Sequence, residues 1–295
     1  MPGDTPVGII GLGLMGTALA ERLVGAGIAV AGFDIDPIRC DSLRDHRGTV
    51  ATSAGDLASR SHAIVIAVYD GAEVEALLGE LENSPARLAL ICTTTCAPGE
   101  IERIAARAAS AGFTFIEAPI SGTSAEVRDG TATALVAADA DAIAALDPLL
   151  AVLCPRRTHV GKIGDASRTK LAINLILQNN RAALAEGIVF AERLGLDGPA
   201  FLAAARESAA YSRVMDTKGE KMVSRDFRPQ SHIAQTLKDA ELILHEARQR
   251  GLHLAVTETQ AELLRSAIAL EGADSDSSAI IEAVGQQVPS SGIFR

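Results

Sequence analysis

Aromatic residues are scarce in this 295-residue chain, at 3% with no Trp, so a core has to be assembled mainly from Ala, Leu, Ile and Val. Cysteine is scarce too. Cys40, Cys92, Cys96 and Cys154 are too few for a disulfide framework in a chain of this length. Cys92 and Cys96 stand four apart, but no second Cys or His pair accompanies them at metal-ligand spacing. Free thiols in a reducing cytoplasm are therefore expected, and no metal. Positive charge is outnumbered: 27 Lys and Arg against 37 Asp and Glu leave a formal net charge of −10. Such a surface repels phosphate backbones and argues against nucleic-acid binding, so a cationic site for an anionic substrate must be local. A membrane-length apolar run is missing: the uncharged stretch from Thr5 to Ala20 is rich in glycine and stops at Glu21. Met1-Pro2-Gly3-Asp4 offers no basic segment ahead of it, so no signal peptide is expected.

What is present is a globular composition, 48% hydrophobic and 22% charged, and a length that suits about two domains. In the first half, short apolar runs alternate with helical patterns. Val7–Ile10, Ala29–Phe33, Ala63–Val68, Leu88–Cys92, Thr114–Ile116 and Ala134–Ala138 read as buried strands. Helical stretches run from about Met15 to Ala26, from Pro37 and from about Pro98. This alternation predicts a mainly parallel, doubly wound sheet covered by helices, an α/β Rossmann domain over about 1–163. From about Gly164 the strand-like runs vanish. Ser167–Leu194 reads as one long helix with Gly195 as its C-cap. Pro199–Ser208, Ile233–Arg250 and Thr257–Glu271 follow as helices, and Gly272–Ser278 as a loop, giving an all-α domain over about 164–295.

Gly11-Leu12-Gly13-Leu14-Met15-Gly16 matches G-x-G-x-x-G in the context that gives the motif meaning, after a strand and at the opening of a helix. Gly11 permits the tight turn, Gly13 lets a pyrophosphate approach the backbone, and Gly16 lets helix and strand pack closely. The helix N-terminus adds N–H groups and partial positive charge. Asp34, 18 residues after Gly16, ends the second strand, where a carboxylate accepts hydrogen bonds from the adenosine ribose; its alternative is a cap on the turn before Pro37. With Asp36 beside it and Arg39 the first cation to follow, a 2′-phosphate meets two carboxylates, so NAD is expected over NADP.

Five segments, in order, resemble the β-hydroxyacid dehydrogenase family, which includes 3-hydroxyisobutyrate dehydrogenases and tartronate semialdehyde reductases. The Gly11–Gly16 turn is similar to its G-L-G-x-M-G, and Cys92-Thr93-Thr94-Thr95-Cys96-Ala97-Pro98 to its D-x-S-T-x-x-P. Glu117-Ala118-Pro119-Ile120-Ser121-Gly122-Thr123 resembles D-A-P-V-S-G-G, and Gly161–Asn174 resembles G-x-x-G-x-G-x-x-x-K-x-x-N-N. Lys238-Asp239 resembles the K-D of a late motif. The resemblance implies a helical domain of the 6-phosphogluconate dehydrogenase-like type, an active site in the cleft between the domains, and oxidation of a small 3-hydroxy acid to its semialdehyde or the reverse. It assigns Lys170 as the general acid/base and Asn174 as its companion on the substrate. Four residues apart, the two share a helical face. A free Lys has a pKa of ~10.4, so this role requires a lowered value in a dry cleft.

Ser121, Gly122 and Thr123 are expected to hold the substrate carboxylate, since successive N–H groups in such a turn suit an anion. Thr94 and Thr95, at a strand's end, are expected beside the cofactor, with helix capping before Pro98 as their alternative. Lys238 is carried over to the cofactor side, and Asp239 and Ser212 to the substrate side. Cys92, Thr123, Glu126 and Ile173 depart from the family pattern, and Arg213 replaces an aromatic, either to bind a second acidic group or to face solvent. The expected assembly is a homodimer or higher homo-oligomer with a small-molecule substrate, without nucleic acid or membrane. Two rivals remain: an imine or other carbonyl reductase on the same scaffold, and a non-catalytic dinucleotide-binding interaction protein.

Overall fold

A computed structural model of the chain describes residues 5–82 and 87–286. Met1–Asp4, on which the expectation of no leader rests, lies outside the described residues. The chain divides into two compact units, 1–170 and 171–295.

The first unit alternates as its apolar runs require. β1 (Val7–Ile10), α1 (Leu14–Gly25), β2 (Val30–Phe33), α2 (Pro37–Asp45), β3 (Thr49–Val50), α3 (Ala54–Ser59), β4 (Ala63–Ile66) and α4 (Gly71–Leu81) come first. β5 (Ala89–Cys92), α5 (Pro98–Ser110), β6 (Thr114–Glu117), β7 (Ile120–Ser121), α6 (Ser124–Asp129), β8 (Thr133–Ala137), α7 (Ala140–Leu153) and β9 (Arg156–Gly161) follow, and α8 (Asp165–Arg193) leaves the unit. The sheet runs β3-β2-β1-β4-β5-β6-β8-β7, with β9 on β8. All pairs from β3 to β6 are parallel, whereas β8 is antiparallel to β6 and β7. The Ala134–Ala138 run therefore continues the sheet in the opposite direction. The order reverses between β1 and β4, so the Gly-rich turn after β1 sits at the switch point where such sheets bind ligands.

Strand residues alternate between two cores with the period of a pleated strand. Val7 and Ile9, Val65 and Ile91 join one cluster; Ile10, Ile64, Ile66 and Leu90 join the other. Each such fully buried aliphatic side chain contributes about 1.5–3 kcal/mol, which lets a core nearly free of aromatics suffice.

The second unit is helical. α8 is followed by α9 (Gly198–Arg206), α10 (Arg213–Ser224), α11 (Ile233–Gln249), α12 (Ala255–Glu271), a 3-10 turn at Ser277–Ala279, and α13 (Ile280–Gly285). Its own core includes Ala185, Ile188, Leu202, Met222, Ile233, Leu264 and Ile280. Gly195 stops α8 in a left-handed conformation, φ +82°, while Leu196 N donates to Ala191 O at 3.0 Å. Several short elements escaped the sequence reading, among them β3, α3, β7, α6, β9, the 3-10 turn and α13. They are two to six residues long, too short to show a period. α10 escaped it too, because its lysines and glycine interrupt the apolar pattern. No helix among the described residues is long and apolar enough to cross a membrane.

Candidate active site

At the switch point, the three glycines of the turn meet different surroundings. Gly11 has φ +89°, and a Cβ there would press on the carbonyl of Ala67; a Cβ on Gly16 would run into the carbonyl oxygen of Gly11. These two are required by the chain's own packing. Gly13 is not: beyond its chain neighbours, the nearest atom to its Cβ position is Arg39 Nη1, 4.0 Å away. It opens α1 with no side-chain cap, ahead of Leu14 and Met15. The positive end of α1 is therefore left with space over it, which suits a pyrophosphate. These residues fit a dinucleotide.

Asp34 is buried at the end of β2. Its Oδ2 accepts from Leu12 N at 2.7 Å and its Oδ1 from Asp36 N at 2.9 Å. It thus both ties the Gly-rich turn to β2 and closes the turn before Pro37, and Asp36 in turn caps α2 through Ile38 N at 2.9 Å. A carboxylate has about four acceptor positions, so capacity for ribose hydroxyls remains. Arg39, the first cation to follow Asp36, stands nearer to this corner than the expectation of NAD over NADP allowed. The first turn of α2 folds it back, and its guanidinium lies 3.6 Å from both Asp34 and Asp36. Three residues after Asp36, on the first turn of a helix, Arg39 lies at the spacing that brings side chains together.

Thr94 follows β5 and is buried. Its hydroxyl donates to Val68 O and accepts from Val68 N, both at 3.1 Å, pinning the loop after β5 to the loop after β4 rather than capping α5. Thr95 is buried beside it. Ser121 ends β7, half-buried, and Gly122 and Thr123 lead into α6. Here two departures from the family pattern explain each other. Thr123 Oγ1 accepts from Glu126 N at 3.2 Å while Glu126 Oε2 accepts from Thr123 N at 2.8 Å, a reciprocal capping box. The chain's own carboxylate therefore already engages one N–H of the turn expected to hold a substrate carboxylate.

β6 ends in Glu117, which is fully buried. Its Oε2 accepts from Gly164 N and its Oε1 from Ser167 N, both at 2.6 Å, at the start of α8. Burial pushes its carboxyl above the usual carboxylate range, against the lowering effect of those N–H donors. Lys170 lies on the next turn of α8 and is only 6% exposed, so it is not the solvated lysine that a lone helical Lys ordinarily is.

Further along α8, the face that carries Lys170 continues with Asn174, Gln178 and Arg181, all buried. Asn174 Nδ2 donates to Asp239 Oδ2 of α11 at 2.8 Å, and Lys238 Nζ lies 3.2 Å from Asp239 Oδ1. The second unit thus brings Asn174, Lys238 and Asp239 into one group. Ser212 is the N-cap residue of α10, half-buried, and Arg213 beside it is exposed.

Three features went unread in the sequence. Glu117 was legible only as the first letter of a motif. Arg181 is buried with Nε and Nη1 lacking a hydrogen-bond partner among the described residues, and burial lowers its pKa to about 10 against the pull of Asp276 and Asp239. Polar residues on an otherwise buried helical face were the available signal. Asp276, inside the segment read as a plain loop, holds Lys218 Nζ at 2.8 Å from both oxygens and accepts from Gln230 N and Ser278 N at 2.8 and 3.0 Å. Burial pushes the Lys218 ammonium down to about 8, with Asp276 opposing.

Residues 6–161 match the family described as the NAD binding domain of 6-phosphogluconate dehydrogenase, and residues 164–284 the one described as NAD-binding of NADP-dependent 3-hydroxyisobutyrate dehydrogenase. The chain is 32% identical over 282 residues to the 2-hydroxy-3-oxopropionate reductase of Escherichia coli strain K12, covering 94% of this chain and 96% of that one. The crystal structure of a 3-hydroxyisobutyrate dehydrogenase from Salmonella typhimurium superposes with a TM-score of 0.86 at 25% identity, over 95% of this chain and 99% of that one. An imine reductase from Pseudomonas sp. shares the fold at a TM-score of 0.65 and 22% identity, over 95% and 99% of the two chains. Fold and turn together define an oxidoreductase that binds a nicotinamide dinucleotide, NAD or NADP. Within that class, the chain belongs to the β-hydroxyacid dehydrogenase family.

Proposed function

We propose that this chain uses NAD to oxidise a small 3-hydroxy acid to its semialdehyde, or runs the reverse reduction, with Lys170 as general acid/base. One observation carries the proposal. Lys170 is buried on the same face of α8 as Asn174, and the Asn174 amide is held by Asp239. A buried lysine one turn from an oriented amide can hold an alcohol and move its proton. When bound, NAD supplies the hydride acceptor. In oxidation the neutral Lys170 amine takes the hydroxyl proton as the carbinol hydrogen leaves as hydride; in reduction the ammonium returns it. Asn174 orients the reacting oxygen, and Asp239 keeps its amide from rotating.

Ser121 is the principal donor to the substrate carboxylate, because Glu126 engages the N–H of Thr123. Ser212 completes the substrate side. Thr94, Thr95 and Lys238 face the cofactor. NAD is preferred because Asp34 and Asp36 outnumber Arg39 where a 2′-phosphate would sit. The protein works in the cytoplasm and as a homo-oligomer, the assembly being supported by Ile176 and Phe190, exposed at 61% and 66% on α8. Lys170 weighs against an imine reductase, whose resemblance usually comes without that lysine, and against a non-catalytic binding module.

The test is a panel of 3-hydroxyisobutyrate, glycerate, 4-hydroxybutyrate, serine and threonate with NAD and with NADP, read as absorbance of the reduced cofactor. At least one acid should turn over, and Lys170→Ala should lower kcat for it by ~10²–10⁴-fold, as loss of a general base does, with NAD affinity little changed. A folded Lys170→Ala enzyme with near-normal kcat at neutral pH removes Lys170 from the chemistry.

A further inference from the structure

The structure assigns Glu117 as a positioning residue: its buried carboxylate clamps the first turn of α8 and so sets where Lys170 stands relative to Ser121. This rests on the proposed role of Lys170. Glu117 is completely buried, and it is held by backbone N–H groups, those of Gly164 and Ser167, both at 2.6 Å. Both oxygens accept, as an ionised carboxylate does, although burial works against the charge, and bonds to such an acceptor are charge-assisted and stronger than neutral ones. The N-terminal end of α8 adds its partial positive charge.

Chain connectivity gives this contact its consequence. Glu117 is four residues before Ser121, on the short path from β6 into β7, and Ser167 is three residues before Lys170, one helical turn. One carboxylate therefore links the segment read as holding the substrate's acid group to the helix turn read as carrying the base. Gly164, φ +92°, bends the chain so that its N–H points at Glu117. A simple helix cap could be supplied by a local Ser, Thr or Asp from the residues just before the helix. Here the acceptor comes from 47 residues upstream at a strand end, which rigidly couples two parts of the site. Displacing reacting groups by about 1 Å costs on the order of 10²-fold in rate.

Glu117→Gln tests this. The amide is nearly isosteric but has one acceptor oxygen, so its NH2 group must face either Gly164 N or Ser167 N, donor against donor. The variant should lose about 10–10²-fold in kcat on the best acid of the panel, by the same positional argument, with substrate KM within a few-fold and NAD affinity unchanged. Glu117→Asp, which keeps the charge on a shorter arm, should fall between wild type and Gln. The deciding measurement is a double-mutant cycle with Lys170→Ala. If Glu117 acts through Lys170, adding Glu117→Gln to Lys170→Ala costs no further kcat, because the group being positioned is gone.

Full additivity in the cycle overturns the inference, and so does a folded Glu117→Gln enzyme with wild-type kcat. Should Glu117→Gln fail to fold, the cycle is run with Glu117→Asp and judged by the same criterion. The two ideas fail separately. A Lys170→Ala enzyme with normal kcat defeats the assignment of the base, whereas a crippled Lys170→Ala beside an unaffected Glu117→Gln defeats only the clamp.

Discussion

The starts of α1 and α8 are the same physical device put to opposite uses. Both present N–H groups and partial positive charge at the end of a strand-to-helix turn. At α1 no side chain caps the helix, and the space over Gly13 is open to 4.0 Å. At α8 the N–H groups of Gly164 and Ser167 are filled by Glu117. An open start can receive an anion that comes and goes; a filled one becomes a fixed joint. α6 lies between them, its start closed by Glu126, a half-buried residue of its own first turn. Buried carboxylates in the first unit, Asp34 and Glu117, are thus met by backbone donors. In the second unit Asp239 is met by side chains, those of Asn174 and Lys238, and so depends more on residue identity, whereas Asp276 combines the Lys218 ammonium with the backbone N–H groups of Gln230, Ser231 and Ser278.

Substitutions at the glycines separate the two uses. The largest effect is expected from Gly164→Ala. A residue with a Cβ at φ +92° is strained by about 1–3 kcal/mol, and the Glu117 clamp loses its geometry. Chemical denaturation should report that loss, together with a lower kcat. An unchanged midpoint and rate would show that the filled start tolerates rearrangement.

Gly13→Ala should do the reverse. Its Cβ enters open space, so stability should move by no more than about 0.5 kcal/mol, as for an ordinary surface change. The dinucleotide loses its close approach, and NAD binding measured by calorimetry should weaken roughly tenfold, a cost of ~1.4 kcal/mol. Undiminished affinity would mean that the cofactor does not sit over Gly13.

A smaller effect is expected at the third start. Glu126→Gln keeps the acceptor for Thr123 N but removes a negative charge beside Ser121. KM for an acid should fall by a few-fold, with no change for its amide analogue, by analogy with partly exposed charge pairs worth ~0.2–1 kcal/mol. Equal effects on acid and amide would place the substrate carboxylate elsewhere. The smallest change is expected from Arg39→Ala. It removes the cation 3.6 Å from Asp34 and Asp36 and should lower NADP use relative to NAD by a few-fold in kcat/KM. A rise in NADP use would reverse the reading of that corner.

How much was legible depended on whether the signal was local. The strands of the parallel sheet, the Gly-rich turn and α8 each repeat a pattern over neighbouring residues, and a period or a motif survives in one dimension. Gly195 was readable as the stop of α8 because a left-handed residue after a helix is a local event. β3, β7, β9 and α6 were not, because so few residues carry no period. Thr123 and Glu126 looked like two unrelated departures from a pattern, although their three-residue spacing is that of a capping box.

By itself, then, the sequence determined the βα alternation, the turn at the end of β1, the placing of Lys170 and Asn174 on one helical face, and the family. All follow from spacing along the chain, which backbone geometry converts directly into direction. Tertiary structure alone decided that Glu117 closes α8, that Asp276 neutralises Lys218, and that Arg181 is buried with two nitrogens lacking partners among the described residues. Most of these join or bury charges drawn from separate segments. The free energy of a buried charge depends on which donors surround it in space, and separation along the chain does not encode that.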